Sequence, residues 1–400
     1  MSQSKPQLWT KDFIIVSAVN FFVTFIFYLL LVTISEYAVN EYHASTAEAG
    51  LVSGIFIIGA LVGRLVTGRA IDSIGRKRTL IIGMSLTALA LLLYFVHVGL
   101  GFLLFTRFLH GLTAGMATTA TGTIVAQIIP NTRKGEGIGY FSMSSTLATA
   151  IGPFVGIYMT QHANFSAIFM VCFALGVICL LTSFLVKVPA IEGATSPSPA
   201  KGFQLSTFVE PKAIPIAFVT LAIAFFYSSV LSFINFYAKE IDLVDAASFF
   251  FLVYSIAVLA SRPFTGRLMD QKGANLVMYP GFILLGGGLL LLSTASNSFL
   301  LLAAGALIGL GFGNMQSCTQ AIAIKLTPSA RMGLATSTFF IFLDAGLGFG
   351  PYVLGFIIPL TGYQPLYVIM GILSFAALAM YYFLHGKKEQ LLRSGLRASA

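Results

Sequence analysis

Apolar residues run along this chain in long blocks, with polar residues confined to short breaks between them. Each block is about 20 residues, the length of a helix that crosses a hydrocarbon core. Barrel strands would show short alternating segments instead. The pattern predicts twelve spans, at roughly 13–38, 46–68, 79–98, 101–128, 135–160, 164–187, 213–238, 246–267, 275–295, 298–325, 332–360 and 364–385. Breaks on one side are very short: Gly99 to Leu100, Gln161 to Ala163, Ser296 to Asn297. Lipid offers no partner to a free backbone amide, so spans of this kind are helices. The expected fold class is an all-α integral membrane protein.

Composition agrees. Of 400 residues, 57% are hydrophobic and 9% charged, against about 25% charged in a soluble domain. So few charges cannot coat a soluble protein of this length. The stretch after the amino-terminal MSQSKPQLWTKDF is too long for a signal-peptide core, so it counts as the first span. Cys172, Cys179 and Cys318 lie inside apolar runs without C-x-x-C pairing. They predict neither a disulfide framework nor a metal site.

The net charge of +9 changes the picture only through its distribution. Arg69, Arg76, Lys77, Arg78, Arg133, Lys134, Lys187, Arg267, Lys272, Lys325, Arg331, Lys387 and Lys388 all fall at one end of the spans, as do Lys5, Lys201, Arg393 and Arg397. At the other end the only loop lysine or arginine is Lys239. Positive charge stays cytoplasmic, which puts both termini inside and makes nucleic acid an unneeded partner. A Ser/Pro/Gly-rich linker at 188–212 divides the chain into bundles at 1–187 and 213–400.

The two halves share a register. GRLVTGRAIDSIGRKR (63–78) is echoed by SRPFTGRLMDQKGANL (261–276) at an offset of 198. Arg64 pairs with Arg262, Gly68 with Gly266, Asp72 with Asp270 and Gly75 with Gly273. The offset persists through Gly111 and Gly309, Gly115 and Gly313, Arg133 and Arg331, Gly135 and Gly333, and Gly152-Pro153 and Gly350-Pro351. Two parallel six-helix repeats can rock about a site near the midplane. Each glycine permits a tight turn. Each aspartate can either pair with arginine or cap a helix start.

Gly68, Asp72, Gly75, Arg76 and Lys77 form G-x-x-x-D-x-x-G-R-K, which resembles the loop signature of the major facilitator superfamily. The resemblance spans the whole chain, with a degenerate second copy that lacks the R-K. Two further motifs are similar to the 12-span drug/proton antiporter branch. LLFTRFLHGLTAG carries Arg107, Gly111 and Gly115, with His110 where glutamine is usual. ATAIGPFVGIY carries Gly152, Pro153 and Gly156, with Ile157 in place of the last glycine. The resemblance implies two pseudo-symmetric six-helix bundles. It also implies a conformational latch at Gly68, Asp72, Gly75, Arg76, Lys77 and Asp270, and a cavity lined by spans 1, 4, 7 and 10.

Ionisable residues deep in a span are costly, at least about 2.5–3.5 kcal/mol at the midplane. Asp344 lies near the middle of the eleventh span. Desolvation there favours its neutral form, which suits reversible protonation. A carboxylate kept for packing is the alternative. Arg107 and His110 lie one turn apart in the fourth span. They join Asp344 as expected proton-coupling residues, with snorkelling or a structural histidine as alternatives. Expected substrate-binding residues are Asn20, Arg107, Tyr227, Asn235, Asn314 and Gln316, with Gln320 beside them. These amides could equally bond helix to helix.

No P-loop, metal-ligand pair or nucleophile elbow is present in the sequence, so neither an enzyme nor a bound cofactor is expected. The reading is a secondary active transporter in a plasma membrane, of bacterial type and monomeric. It would export an amphipathic small organic molecule against inward proton flow. Rivals are an exporter of an anionic or zwitterionic metabolite or metallophore, a nutrient importer, and a non-transporting membrane sensor. The first span offers Asn20 and no deep acid, which leaves substrate charge open.

Overall fold

The computed structural model describes residues 7–189 and 208–391. Most of the predicted linker, with Lys5, Lys201, Arg393 and Arg397, lies outside them. The described residues form twelve long helices and no strands. They are α1 Lys11–Tyr42, α2 Thr46–Ile74, α3 Arg76–Phe95, α4 Leu100–Ile128, α5 Lys134–His162 and α6 Phe165–Phe184. There follow α7 Ile214–Glu240, α8 Val244–Lys272, α9 Asn275–Ser293, α10 Ser298–Lys325, α11 Met332–Thr361 and α12 Tyr363–Leu391. Eleven are long and apolar enough to cross a membrane. The twelfth, α5, is diluted by Lys134, Glu136 and many Gly, Ser and Thr residues.

Local chemistry sets the helix ends. Thr10 accepts the Phe13 amide at 3.2 Å to start α1. Ser45 and Glu48 form a reciprocal capping box at α2. Asn164 and Asn297 cap α6 and α10. Gly75 and Gly273 both adopt φ +97° between α2 and α3 and between α8 and α9. The same unusual turn therefore serves both copies of the repeat, and only glycine enters it without strain.

The helices gather into two compact units. The first comprises Met1–Pro130, Leu147–Glu210 and Thr327–Ile341. The second comprises Asn131–Thr146, Pro211–Leu326 and Phe342–Ala400. These units differ from a simple cut at the linker. The first turns of α5 are gathered with the C-terminal helices, and those of α11 with the N-terminal ones.

Within the first unit, α2 and α4 pack backbone to backbone. A Cβ at Gly63, Gly111 or Gly115 would strike main-chain atoms of the facing helix. Small residues substitute here for the hydrophobic drive that lipid cannot supply. Within the second unit, α10 carries a π-helical turn at Gly309–Gly313, an irregularity the apolar pattern does not reveal. Its last carbonyl, Gly313 O, accepts the Arg262 guanidinium at 2.7 Å.

Candidate functional site

The repeated phrase builds one polar cluster in each unit. In the first unit, Arg76 is the first residue of α3 and its side chain is almost fully buried. Its Nη2 lies 3.1 Å from Asp72 Oδ1 and 2.5 Å from the Ser329 carbonyl oxygen. Its Nη1 donates to Gln127 Oε1 at 2.8 Å. The Gly333 amide, at the start of α11, also hydrogen-bonds to the Asp72 carboxylate. One turn along, Ser337 donates to the Arg64 carbonyl oxygen at 2.7 Å, and the Arg64 guanidinium lies 4.4 Å above the Phe340 ring. Gly68 has no room for a side chain, because a Cβ there would collide with Ser337. Lys77 points away and donates to the Phe184 carbonyl oxygen.

In the second unit the equivalent aspartate acts differently. Asp270 takes the Gly135 amide on Oδ1 at 2.7 Å and the Glu136 amide on Oδ2 at 2.8 Å. It thus caps the first turn of α5, where free amides and the helix dipole both favour an anion. Lys325 lies 2.8 Å from the same Oδ1. Glu136 ion-pairs Arg133 and Arg267, each at 2.8 Å. Deeper in, Arg262 donates to Gly139 O at 3.3 Å. A Cβ at Gly266 would lie 2.7 Å from Glu136 Cα, so glycine is what lets α8 and α5 touch.

The register of 198 therefore holds in three dimensions. Asp72 meets the amide of Gly333, and Asp270 meets the amide of Gly135. Arginine pairing is realised in one copy and helix capping in both.

The fourth-span residues lie in the core of the first unit. Arg107 and His110 are fully buried. Arg107 Nε donates to Val52 O at 3.1 Å, and its guanidinium lies 4.9 Å from the Phe56 ring. Tyr94 Oη stands 3.4 Å from Arg107 Nη1 and 3.1 Å from His110 Nδ1. Arginine only donates, so the phenol oxygen accepts from it, and the imidazole tautomer sets the direction of the bond between the phenol and the histidine.

Asp344 is half-buried in the middle of α11. Among the described residues no other acidic side chain lies in the middle third of a membrane helix. Gly346 and Gly350 bring α11 against α7, where a Cβ at Gly346 would lie 2.6 Å from Leu221 O. Gly152 and Gly156 flank Pro153 and bring α5 against α1, with Cβ positions 2.7 Å from Tyr28 and 2.8 Å from Val32.

Gly152-Pro153 lies inside α5 and Gly350-Pro351 inside α11, in the same register as the paired aspartate clusters. A family model for the Major Facilitator Superfamily matches residues 16–295 and 243–398. The chain belongs to the Major Facilitator Superfamily. It is 25% identical over 347 residues to an uncharacterised transporter of this type from Methanocaldococcus jannaschii, covering 83% of this chain and 89% of that one. It is 26% identical over 400 residues to one from Burkholderia mallei, covering 96% and 95%. The fold matches the crystal structure of the human organic anion transporter MFSD10 (TETRAN) with a TM-score of 0.77 at 14% identity, over 92% of this chain and 98% of that one. It matches FucP, in the outward conformation, with a TM-score of 0.76 at 15% identity, over 94% and 99%. This is accordingly a multi-pass membrane transporter rather than an enzyme, and its partner is a small-molecule substrate.

The remaining predicted residues of this facilitator scatter. Asn314 is spent on structure: Oδ1 accepts from Thr265 at 2.8 Å, and Nδ2 donates to Ser261 Oγ and Leu310 O, each at 2.8 Å. It ties α10 to α8. Asn20 Oδ1 accepts from Thr121 at 3.3 Å. Tyr227 is buried between Phe312, 4.1 Å between ring centroids, and Tyr254. Gln316 is half-buried, Gln320 buried and Asn235 exposed on α7.

The sequence placed Lys325 only among the basic residues at one end of the spans, and assigned no site role to it, Gln127, Ser337 or Glu210. The offset held a signal for the first two, since Gln127 and Lys325 are themselves 198 apart. Glu210 pairs with Arg331 at 2.8 Å, and its amide donates to Thr338 Oγ1 at 2.9 Å. Nothing in the linker composition marked it.

Proposed function

We propose that this facilitator is a proton-coupled exporter of an amphipathic small organic molecule, working by alternating access in a bacterial plasma membrane with both termini cytoplasmic. The bundles at 1–187 and 213–400 rock about a polar centre. The Asp72 and Asp270 clusters latch the cytoplasmic side in one state and release it in the other. The proton gradient supplies the energy, without a bound cofactor, and one chain suffices.

The observation that carries proton coupling is Asp344, half-buried at mid-helix in α11. A carboxyl held there is costly when charged and readily exchanges protons as its surroundings alternate. In the cycle, substrate enters from the cytoplasm while Asp344 is ionised. The bundles rock, a proton from outside binds Asp344 as substrate leaves, and return of the empty carrier delivers that proton inside. Arg107 and His110 act on the same step through the fourth helix. Gradient-driven uptake in inverted vesicles tests this: Asp344→Asn abolishes gradient dependence, and unimpaired dependence removes Asp344 from the mechanism.

A second reading, export of an anionic or zwitterionic metabolite or metallophore, has its own support. α1 holds Asn20 and no acid at depth, while Arg107 and Arg262 are buried cations. Comparison of exuded metabolites with the protein absent and overproduced separates the two, and the direction of flux separates both from import.

A further inference from the structure

The second copy of the repeated phrase has lost the arginine that completes the first. In the register of 198, Arg76 corresponds to Ala274, Lys77 to Asn275 and Gln127 to Lys325. Arg76 holds Asp72 from the start of α3 and reaches on to Gln127 at the end of α4. At the matching place in the second unit, Ala274 and Asn275 carry no cation: the Asn275 side chain is held by Gly386 and Tyr381, and the two residues present their backbone amides. The Glu389 carboxylate takes both, at 2.7 and 2.9 Å. The cation comes instead from the end of α10, where Lys325 Nζ lies 2.8 Å from Asp270 Oδ1.

We propose that Lys325 is the positioning residue of the second latch. The positive charge has moved from the arginine position to the glutamine position of the repeat, and from there it keeps Asp270 on the N-terminus of α5.

The electrostatics require such a charge. The Asp270 side chain is 8% exposed, and a carboxylate so enclosed needs a counter-charge as well as hydrogen bonds. Arg133 and Arg267 are committed to Glu136. The two amides of α5 supply the partial charge of a helix end, and Lys325 supplies a full one to an oxygen already carrying the Gly135 amide. A lysine suits the place. Its stem spans the gap from α10 while its ammonium adds one bond to a carboxylate that already holds the two α5 amides. Degeneracy of the second motif in sequence is therefore not loss of the latch.

The inference draws on the proposed transport cycle only for its consequence, a bias toward the latched state. Its test needs no transport. Cys318 is buried, with Sγ 3.5 Å from Met269 Sδ, and shares with Gly135 and Gly266 a cavity of about 10 Å³, room for a single water. Because Gly135 of α5 and Gly266 and Met269 of α8 line that cavity, parting of α5 from α8 opens Cys318 to N-ethylmaleimide. Alkylation rates are measured on the full chain in proteoliposomes, with Cys172 and Cys179 replaced by serine. Lys325→Gln and Lys325→Met react several-fold faster than the parent, as does Asp270→Asn, while Lys325→Arg stays at the parent rate. Ala274→Arg added to Lys325→Gln slows the reaction again. If that double variant fails to purify as a monodisperse species, the Gln, Met and Arg comparison decides alone. A parent-like rate for Lys325→Gln, an equally fast Lys325→Arg, or a parent-like Asp270→Asn overturns the proposal. Failure to move any substrate would fell the transport reading and leave this comparison standing.

Discussion

Asp270 caps α5 at Gly135: its Oδ1 accepts the Gly135 amide at 2.7 Å, and its Oδ2 takes the next amide at 2.8 Å. Charge-assisted caps of this kind are worth more than neutral ones. Asp270→Ala removes both acceptors and leaves Lys325 without its partner. Asp270→Asn keeps one acceptor. The expected loss of stability is about 1–3 kcal/mol for alanine and less for asparagine. Thermal unfolding of the purified chain in detergent measures it, and equal Tm values for both variants and the parent would contradict the cap.

The Arg76–Asp72 pair is nearly closed to solvent, with side chains 3% and 13% exposed. Removing one partner of such a pair leaves the other buried and uncompensated, at a cost of about 3–5 kcal/mol. Asp72→Ala or Arg76→Ala should therefore destabilise more than Lys77→Ala, whose single bond goes to a surface carbonyl. Arg76→Lys should recover only part of the loss, since an ammonium lacks the fork by which Nη1 reaches Gln127 while Nη2 reaches Asp72 and Ser329. Urea or thermal unfolding of the four variants ranks them.

Gly75 stands at φ +97° and ψ 134°, outside the small left-handed well that asparagine tolerates. Gly75→Ala and Gly75→Asn should therefore cost alike, about 1–3 kcal/mol. A clear rescue by asparagine in thermal unfolding would show that the turn relaxes.

The phenol of Tyr94 bridges Arg107 and His110 in the buried core of the first unit. Tyr94→Phe preserves the ring stack on Phe169, 5.1 Å between centroids, and deletes only the bridge. Stranding two buried polar groups costs about 1–3 kcal/mol, so its Tm should fall although its packing is kept. An unchanged Tm would mean that Arg107 and His110 find other partners.

Much of this fold was legible because lipid leaves so few choices. Apolar runs of helix length had to be helices, and α10 was bounded to the residue. The π-turn at Gly309–Gly313 was not, because glycines that permit a bulge also permit close packing, and the sequence does not say which. The aspartate clusters were legible as places but not as geometries. Sequence left Asp72 and Asp270 with two options, arginine or a helix start, and the choice depended on which cation a third helix supplied. Tyr94 was invisible beside Arg107 and His110 because it comes from another helix. Asn314 matched a cavity residue in type and depth, yet its amide is consumed by Ser261, Thr265 and Leu310.

The central claim is that release of these latches is part of the transport cycle, and a reversible clamp tests it most directly. A Cβ at Gly333 of α11 meets the Ile71 Cγ2 methyl of α2, which Ile71→Cys removes, so cysteines at both positions can be bridged across α2 and α11. The pair is introduced with Cys172, Cys179 and Cys318 replaced, and efflux is followed for compounds whose export depends on the parent chain. The account predicts that oxidation stops efflux and that dithiothreitol restores it. Undiminished efflux from fully cross-linked protein would contradict it.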